Sequence, residues 1–421
     1  MTGCGRLVRA CLLAALLSGC STWTLERPDE VKPGTAPTGT APSSGPAEPE
    51  ARSPAPSDMP IPAAEPVPPK SLPQQKAAAR PAAPGGDVFL QRLPAGIADR
   101  AGWARDYRAA FKALGIKPSP ENVCAALAVT EQESSFNADP PVAGLPGIVR
   151  GELRQRAERY HVPAWMLDAS LALTSPDGRT YGQRIDALRT ENDLNRLYDD
   201  LISQVPLGKT LLADYNPVRT GGPMQVSLKF AEKQVRENAY PYRHAGSLRD
   251  ELFTRRGGLY FGVAYLLDYP ARYDRMLYRF ADFNAGRYAS RNAAFQKAVS
   301  LLAGQPLAGD GDLLRYAGGD VADEPSQTLL ATRQLAGRLQ MTEDQIEADL
   351  RREKTAGFER TQLFTRVFAL VKAQTGQVLP PNALPEIQLK SPKIHNGLTT
   401  ARFAQRVNQR YRACLARGGA G

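Results

Sequence analysis

The sequence is poor in the side chains that metal hydrolases require. Its 421 residues include three histidines, His161, His244 and His395, and none of them lies in a His-Glu-x-x-His or similar ligand spacing. A Gly-x-Ser-x-Gly nucleophile elbow is also absent. These gaps argue against a zinc amidase, a zinc endopeptidase or a serine hydrolase of that type, and we expect neither a bound metal nor another cofactor.

Long apolar runs are missing as well, and the one short run lies at the N-terminus. Arg6 and Arg9 precede an apolar stretch from Ala10 to Leu17, which is less than half of the roughly 20 residues that a bilayer core requires. A basic region, a short apolar region and small residues before a cleavage point are typical of an export signal. The ending Leu17-Ser18-Gly19-Cys20 resembles the lipobox of bacterial lipoproteins, which implies cleavage before Cys20 and acylation of its thiol and new amino group.

Ser21 follows the lipobox at the position where lipoproteins retained at the inner membrane carry aspartate. The resemblance therefore implies a signal peptide at residues 1–19 and a lipid anchor in the outer membrane, with the protein on its periplasmic face. An ordinary cleaved signal that happens to end in cysteine is the alternative.

Cysteine is scarce, and most of it is accounted for by export. Cys4 and Cys11 leave with the signal and Cys20 carries lipid, so Cys124 and Cys414 remain. Two thiols in an oxidising compartment predict one disulfide. Two buried, unpaired cysteines are the alternative.

Negative charge is in shorter supply than positive charge. The chain has 53 Lys and Arg residues against 43 Asp and Glu residues, a net charge of +10. Because export removes nucleic acid from reach, we expect no such partner; the anionic partners that remain are lipid head groups and the peptide carboxylates of the cell wall. A solvated surface with excess arginine is the alternative. We expect the protein to be a monomer.

The composition divides the chain at about residue 86. The segment from Ser21 to Gly86 holds 16 of the 35 prolines and almost no aromatic residues. Such a segment cannot bury enough apolar surface to offset its ordering entropy, so we predict a disordered tether at residues 20–86, beginning with the lipidated cysteine.

The rest of the chain has helical periodicity, which predicts a mainly α fold. Trp103, Tyr107 and Phe111 stand four residues apart, so they share one helix face and are expected in the core. We place a first domain at residues 87–305 and a C-terminal helical extension, packed on it, at residues 306–421.

Glu133 is the strongest candidate for an acid in this region. Ser119 and Pro120 have the residue types of an N-cap and a first helical position, and the helix they begin runs toward Glu133. The negative end of the helix dipole and the apolar neighbours both disfavour a carboxylate, which predicts a raised pKa suited to a general acid. A helix-terminal surface glutamate is the alternative.

Glu133 belongs to the first of four sequence motifs that follow one another along the chain. They are Glu133-Ser134-Ser135-Phe136-Asn137, Gly222-Pro223-Met224-Gln225-Val226, Gly262 with Tyr265 and Leu266, and Phe283-Asn284-Ala285-Gly286. Over about residues 118–300 the set resembles the signatures of soluble, lysozyme-like lytic transglycosylases of glycoside hydrolase family 23. The resemblance implies a goose-type lysozyme fold, here with extra helices.

The resemblance also implies a reaction on peptidoglycan glycan strands. In that family one glutamate protonates the oxygen between N-acetylmuramic acid and N-acetylglucosamine, and then takes the proton of the muramic 6-hydroxyl as a 1,6-anhydro ring closes. Glu133 would be this acid and base. The groove would be shaped by Ser134, Met224, Gln225, Tyr265, Phe283 and Asn284.

Three departures from the family pattern stand out. Glu133 and Gln225 are 92 positions apart, far more than is usual, so a helical insert of about residues 138–220 is expected to cover or extend the cleft. Phe283 replaces a tyrosine whose hydroxyl could support the acid. Pro223 replaces leucine, which stiffens its loop and removes an N–H donor.

Two other functions remain open on the sequence. The departures could leave a peptidoglycan-binding lipoprotein without turnover. Asp282 could instead supply a second carboxylate for a muramidase that uses water, although its place next to Phe283 on a helix points it away from that residue's face.

Overall fold

The computed structural model describes residues 87–243, 246–317, 319–388 and 399–417. The predicted signal peptide, the lipidated Cys20 and the tether lie outside the described residues. No helix in the described ranges is both long and apolar enough to span a membrane.

The described chain is mainly helical, as the periodicity predicted. The helices of its first half are α1 (Val88–Arg92), α2 (Arg100–Ala113), α3 (Pro120–Ser134), α4 (Leu145–Arg159), α5 (Ala164–Leu171), α6 (Tyr181–Asp186), α7 (Glu191–Ser203), α8 (Gly208–Leu212) and α9 (Leu228–Glu237). The helices of its second half are α10 (Leu248–Leu252), α11 (Arg255–Leu267), α12 (Met276–Ala285), α13 (Ala289–Ala303), α14 (Gln327–Gln334), α15 (Ala336–Leu339), α16 (Glu343–Leu350), α17 (Gln362–Thr375) and α18 (Thr400–Arg417).

Strands form only two short antiparallel hairpins in the described ranges. The first pairs β1 (Thr220–Gly221) with β2 (Val226–Ser227), in the register Thr220 to Ser227. The second pairs β3 (Tyr316–Ala317) with β4 (Asp320–Val321). The first hairpin encloses the Gly-Pro-Met-Gln motif and so positions part of the candidate site.

Local capping explains where the main helices begin. Ser119 accepts a hydrogen bond from the Asn122 amide and Pro120 occupies the first turn of α3, as the sequence indicated. Ser135 ends that helix in the left-handed conformation. Reciprocal capping boxes at Thr180 and Thr190 begin α6 and α7 in the same way.

The first hydrophobic cluster surrounds α3. Its buried members come mainly from α1, α2, α3, α11, α12 and α18, with others from the first hairpin, α9 and α10, and they include Trp103, Tyr107 and Phe111 as predicted. The last helix, α18, packs against both α3 and α12. We call this assembly the α3 core.

Two further clusters divide the remaining helices. The second is formed by residues 145–218 together with Phe253, and we call it the insert core because it coincides with the insert expected at 138–220. The third joins α13 to α14, α16 and α17. The last helix of the C-terminal region packs in the α3 core, whereas the helices before it form the third cluster with α13.

Candidate active site around Glu133

Glu133 lies in the last turn of α3 and is half-buried. The helix is buried from Val123 to Thr130, and Ser135 and Phe136 then take positive φ angles that turn the chain away. Phe136 packs edge-on against Trp103 with their ring centroids 5.4 Å apart. This turn leaves Glu133 at the rim of an apolar core and at the negative end of its helix.

A buried hydroxyl chain fixes the helix face below Glu133. Tyr107 donates to Thr130 Oγ1 at 2.5 Å, and Thr130 in turn donates to the carbonyl of Ala126 at 3.1 Å. Ser134 uses its hydroxyl within the helix, donating to the carbonyl of Thr130 at 3.0 Å. Burial raises the pKa of Tyr107 far above its usual range, so it remains a donor.

The Gly-Pro-Met-Gln motif forms the tight turn between β1 and β2. Gly222 and Gln225 both have positive φ angles, and the amide of Gln225 donates to the carbonyl of Gly222 at 3.0 Å. The Gln225 side chain donates to the same carbonyl and accepts from the Thr220 hydroxyl at 3.2 Å. These bonds hold the amide of a half-buried side chain in one orientation.

Two glycines of α11 form the seat of this turn. A Cβ atom at Gly258 would lie 2.4 Å from Pro223 Cδ, and one at Gly262 would lie 2.3 Å from Met224 Sδ. Only glycine allows the turn to approach the helix this closely. The motif pattern had singled out Gly262 but not Gly258, although both lie in the sequence four residues apart.

Tyr265 and Phe283 pack edge-to-face in the core beside the half-buried guanidinium of Arg287. Their ring centroids are 5.4 Å apart, and Phe230 contacts the other side of Tyr265 at 4.8 Å. The Arg287 guanidinium lies over Tyr265 and Phe230 and donates to the carbonyl of Tyr265 at 3.1 Å. Burial lowers the pKa of Arg287. The sequence reasoning missed Phe230 and Arg287; the place of Arg287 directly after the Phe-Asn-Ala-Gly motif was the available signal.

Asn284 is buried at the end of α12, where its side chain contacts the last helix. Thr400 donates to Asn284 Oδ1 at 2.8 Å. Sequence reasoning did not find Thr400, because 116 positions separate the two residues. The bond joins the fourth motif to α18.

Asp282 has a structural role. Its Oδ2 atom accepts from the hydroxyls of Tyr269 and Tyr273 at 3.0 Å and 2.6 Å, and the amides of Tyr288 and Ser290 complete its contacts. Burial raises the pKa of this carboxyl. Because it is fully buried among these donors, Asp282 is not placed to activate a water molecule, and the second carboxylate that the sequence offered is removed.

The motif residues differ sharply in their accessibility. Glu133 and Gln225 retain accessible surface, whereas five others are buried. The buried ones are Ser134, Met224, Tyr265, Phe283 and Asn284. Substrate needs accessible atoms to touch, so these five can shape a groove only from beneath.

A disulfide and an ion pair join α3 to the last helix. Cys124 and Cys414 are bonded, with Cα atoms 5.5 Å apart, which is the pairing expected from the cysteine count. Glu131 Oε1 lies 3.9 Å from Arg410 Nε. Glu131 therefore lies on the α18 side of α3, and Glu133, two residues further, points about 160° away from it.

Fold and site define a mainly helical protein whose candidate acid lies on a central helix closed by a disulfide to the C-terminal helix. The chain belongs to the family described as a protein of unknown function (DUF1615), whose model matches residues 96–417. It is similar to the uncharacterized protein YaiW of Escherichia coli (strain K12), with 50% identity over 328 residues that cover 78% of this chain and 88% of that protein. No solved structure matches it.

Proposed function

We propose that this protein is a lipid-anchored peptidoglycan lytic transglycosylase with a lysozyme-like, goose-type catalytic fold. The observation that carries the proposal is the position of Glu133, half-buried in the last turn of α3 at the edge of the core that also holds Met224, Tyr265 and Phe283. One core thus supports a residue from each of the other three motifs.

The reaction needs only one carboxyl group. Protonated Glu133 gives its proton to the oxygen between N-acetylmuramic acid and N-acetylglucosamine, and the C1–O bond breaks. The resulting carboxylate takes the proton of the muramic 6-hydroxyl, whose oxygen forms the new bond to C1. We assign the orientation of the sugar to the half-buried amide of Gln225, which its bonds to Thr220 and Gly222 hold in place. Water is not consumed.

Purified sacculi digested with the protein and its variants test this proposal. We expect the wild type to release anhydro-muropeptides and Glu133→Gln to lose about 10²-fold or more of that release, because an amide cannot exchange the proton. Glu131→Gln is the matched control, since it removes the same charge on the opposite side of the same helix. Wild-type protein that yields no product, or Glu133→Gln that retains it, would contradict the proposal.

Mass spectrometry of the products separates the two cleavage chemistries. A transglycosylase leaves a 1,6-anhydro end, whereas a muramidase leaves a reducing end that is heavier by one water molecule. Products of the second kind would replace the proposed reaction with hydrolysis.

Phe283 favours a second candidate function, a peptidoglycan-binding lipoprotein without turnover. The side chain has no hydroxyl and is buried against Tyr265, so it donates no hydrogen bond to an acid. This candidate predicts binding to sacculi without product, and binding that survives Glu133→Gln.

The proposed location is the periplasmic face of the outer membrane, with acylated Cys20 as the anchor. The lipobox-like ending of the export signal supports it. Cys20→Ser should move the protein from the membrane fraction to the soluble periplasmic fraction. Retention of this variant in the membrane fraction would contradict the anchor.

A further inference from the structure

The positive charge of the chain is concentrated at its C-terminus. After Glu386 the sequence contains seven Lys and Arg residues and no Asp or Glu, whereas the whole chain has a net charge of only +10. Five of the seven lie on α18, the helix that closes the α3 core. The last helix therefore brings a block of positive charge to the candidate site's own core.

Three of these arginines form a stripe along α18. At about 100° per residue, Arg402, Arg406 and Arg410 fall within about 80° of arc. Arg402 and Arg406 are exposed and Arg410 is half-buried, while Phe403 and Val407 face the core. We call Arg402, Arg406 and Arg410 the arginine stripe.

The stripe does not stabilise the helix that carries it. Its members are spaced four residues apart, and like charges at this spacing repel one another. Within the described ranges no carboxylate lies at ion-pair distance from Arg402 or Arg406, whereas Arg410 Nε lies 3.9 Å from Glu131 Oε1. The charges of Arg402 and Arg406 are therefore available to an outside anion.

Two links to the motif-bearing helices fix where the stripe lies. Thr400, at the first residue of α18, donates to Asn284 on α12, and Cys414 is bonded to Cys124 on α3. Arg402 and Arg406 lie on the stretch of α18 between these links. The stripe therefore lies on the α18 side of α3, away from Glu133 and next to the helices that bear the motifs.

We infer that the arginine stripe binds the carboxylates of the peptide stems that branch from peptidoglycan glycan strands. The choice of this occupant rests on the proposed function, whereas the anion-binding surface itself does not. An anionic bilayer is the competing partner, but helices that lie on membranes present large apolar side chains beside their basic ones. The exposed large apolar residues of the described chain all lie outside α18.

Co-sedimentation of the full-length protein with purified sacculi tests the inference. Glu133→Gln is included in every sample so that turnover does not erode the sacculi. The double substitution Arg402→Gln/Arg406→Gln should weaken binding by about tenfold at low salt and flatten its dependence on sodium chloride. Arg402→Lys/Arg406→Lys should restore most of the binding because it keeps the charge.

Two controls test whether binding depends on the position of the arginines and on the carboxylates of the stem peptides. Arg154→Gln/Arg159→Gln removes the same charge from exposed positions of α4 and should leave binding unchanged. Sacculi whose stem carboxylates have been converted to neutral amides with a carbodiimide and ethanolamine keep their cross-links, and they should bind the parent protein no better than untreated sacculi bind the Arg402→Gln/Arg406→Gln variant.

The inference is overturned by equal binding to amidated and untreated sacculi, by an unaffected Arg402→Gln/Arg406→Gln variant, or by stripe-dependent binding to phosphatidylglycerol vesicles but not to sacculi. These outcomes are distinct from failure of the proposed function. A protein that binds through the stripe but yields no anhydro product would support the inference and contradict the proposed enzymatic function. A protein that cleaves sacculi but binds them equally well without the stripe would support the proposed function and contradict the inference.

Discussion

The α3 core and the insert core are held together over very different distances along the chain. In the α3 core, the disulfide joins residues 290 positions apart, the Arg255–Asp99 ion pair spans 156 positions and the Thr400–Asn284 bond spans 116. In the insert core, Arg150 pairs with Asp186 over 36 positions, and Asn216 bonds Asn195 over 21.

This difference separates two kinds of unit. The helices of the insert pack mainly against one another. Phe253 joins their cluster from elsewhere in the described chain, and Arg249 donates to the carbonyl of Val218. Such a unit can open locally while its surroundings stay folded. The α3 core is complete only when α18 has docked, because α18 covers α3 and α12. The candidate site thus depends on the two ends of the folded region meeting.

Truncation of a buried leucine in the insert tests whether the insert unfolds separately from the α3 core. Leu197 on α7 is fully buried, and Leu197→Ala should cost about 2–5 kcal/mol of the insert's stability. Hydrogen exchange should then show lost protection in α4 and α7 and unchanged protection in α3 and α11. Equal loss of protection in α3 and α11 would show that the two cores unfold together.

Removal of the disulfide should destabilise the α3 core rather than the insert. Cys124→Ala/Cys414→Ala is expected to lower the free energy of unfolding of the α3 core by about 2–4 kcal/mol, because it frees a loop of nearly the whole folded chain. Denaturant titration read by hydrogen exchange should show the effect in α3 and α18. Wild-type protein in reductant is the control and should behave alike; an effect confined to the insert would contradict the comparison.

Features fixed by neighbouring residues were predictable from the sequence. Ser119 and Pro120 begin α3, and Trp103, Tyr107 and Phe111 lie in the core, because capping and helical periodicity act within a few residues. These predictions succeeded where the structure depends on local contacts.

Features fixed by distant residues were not predictable. The sequence gives no sign that Thr400 reaches Asn284 or that Met224 rests on Gly262, since both contacts depend on how α11, α12 and α18 pack. The same packing decides accessibility. Motif spacing therefore identified Met224, Tyr265 and Phe283 as candidate site residues but could not show that the core buries them.

Two helical glycines, one in the α3 core and one in the insert, should respond to alanine in opposite ways. Gly262→Ala on α11 should destabilise the protein by about 1–3 kcal/mol, because the new Cβ would lie 2.3 Å from Met224 Sδ. Gly151→Ala on α4 meets nothing within 4 Å and should stabilise the insert by about 0.5–1 kcal/mol. Thermal unfolding of both variants measures the signs. Stabilisation by Gly262→Ala would show that the turn between β1 and β2 moves freely on α11.

The third cluster contains a buried carboxyl group whose hydrogen bonds span intermediate distances along the chain. Glu353 accepts from the Leu313 amide at 2.5 Å and from the Tyr316 hydroxyl at 2.6 Å, over 40 and 37 positions. Burial, with Asp312 nearby, raises its pKa to about 8. Unfolding returns the group to its ordinary, lower pKa, so the folded state binds the extra proton and loses stability as the pH rises toward 8.

Between pH 7 and pH 8 this single group should lower the free energy of unfolding by about 1 kcal/mol. Glu353→Gln keeps the shape of the side chain and has no proton to lose, so its urea midpoint should change less over the same interval. Glu343→Gln, an exposed acid on α16, is the control and should follow the wild type. Hydrogen exchange should place the pH effect in α13 and α17, which the cluster joins, and leave the insert unchanged. A Glu353→Gln variant with the wild-type pH slope would mean that the carboxyl is already charged at pH 7, and that its amide and hydroxyl donors offset the cost of burial.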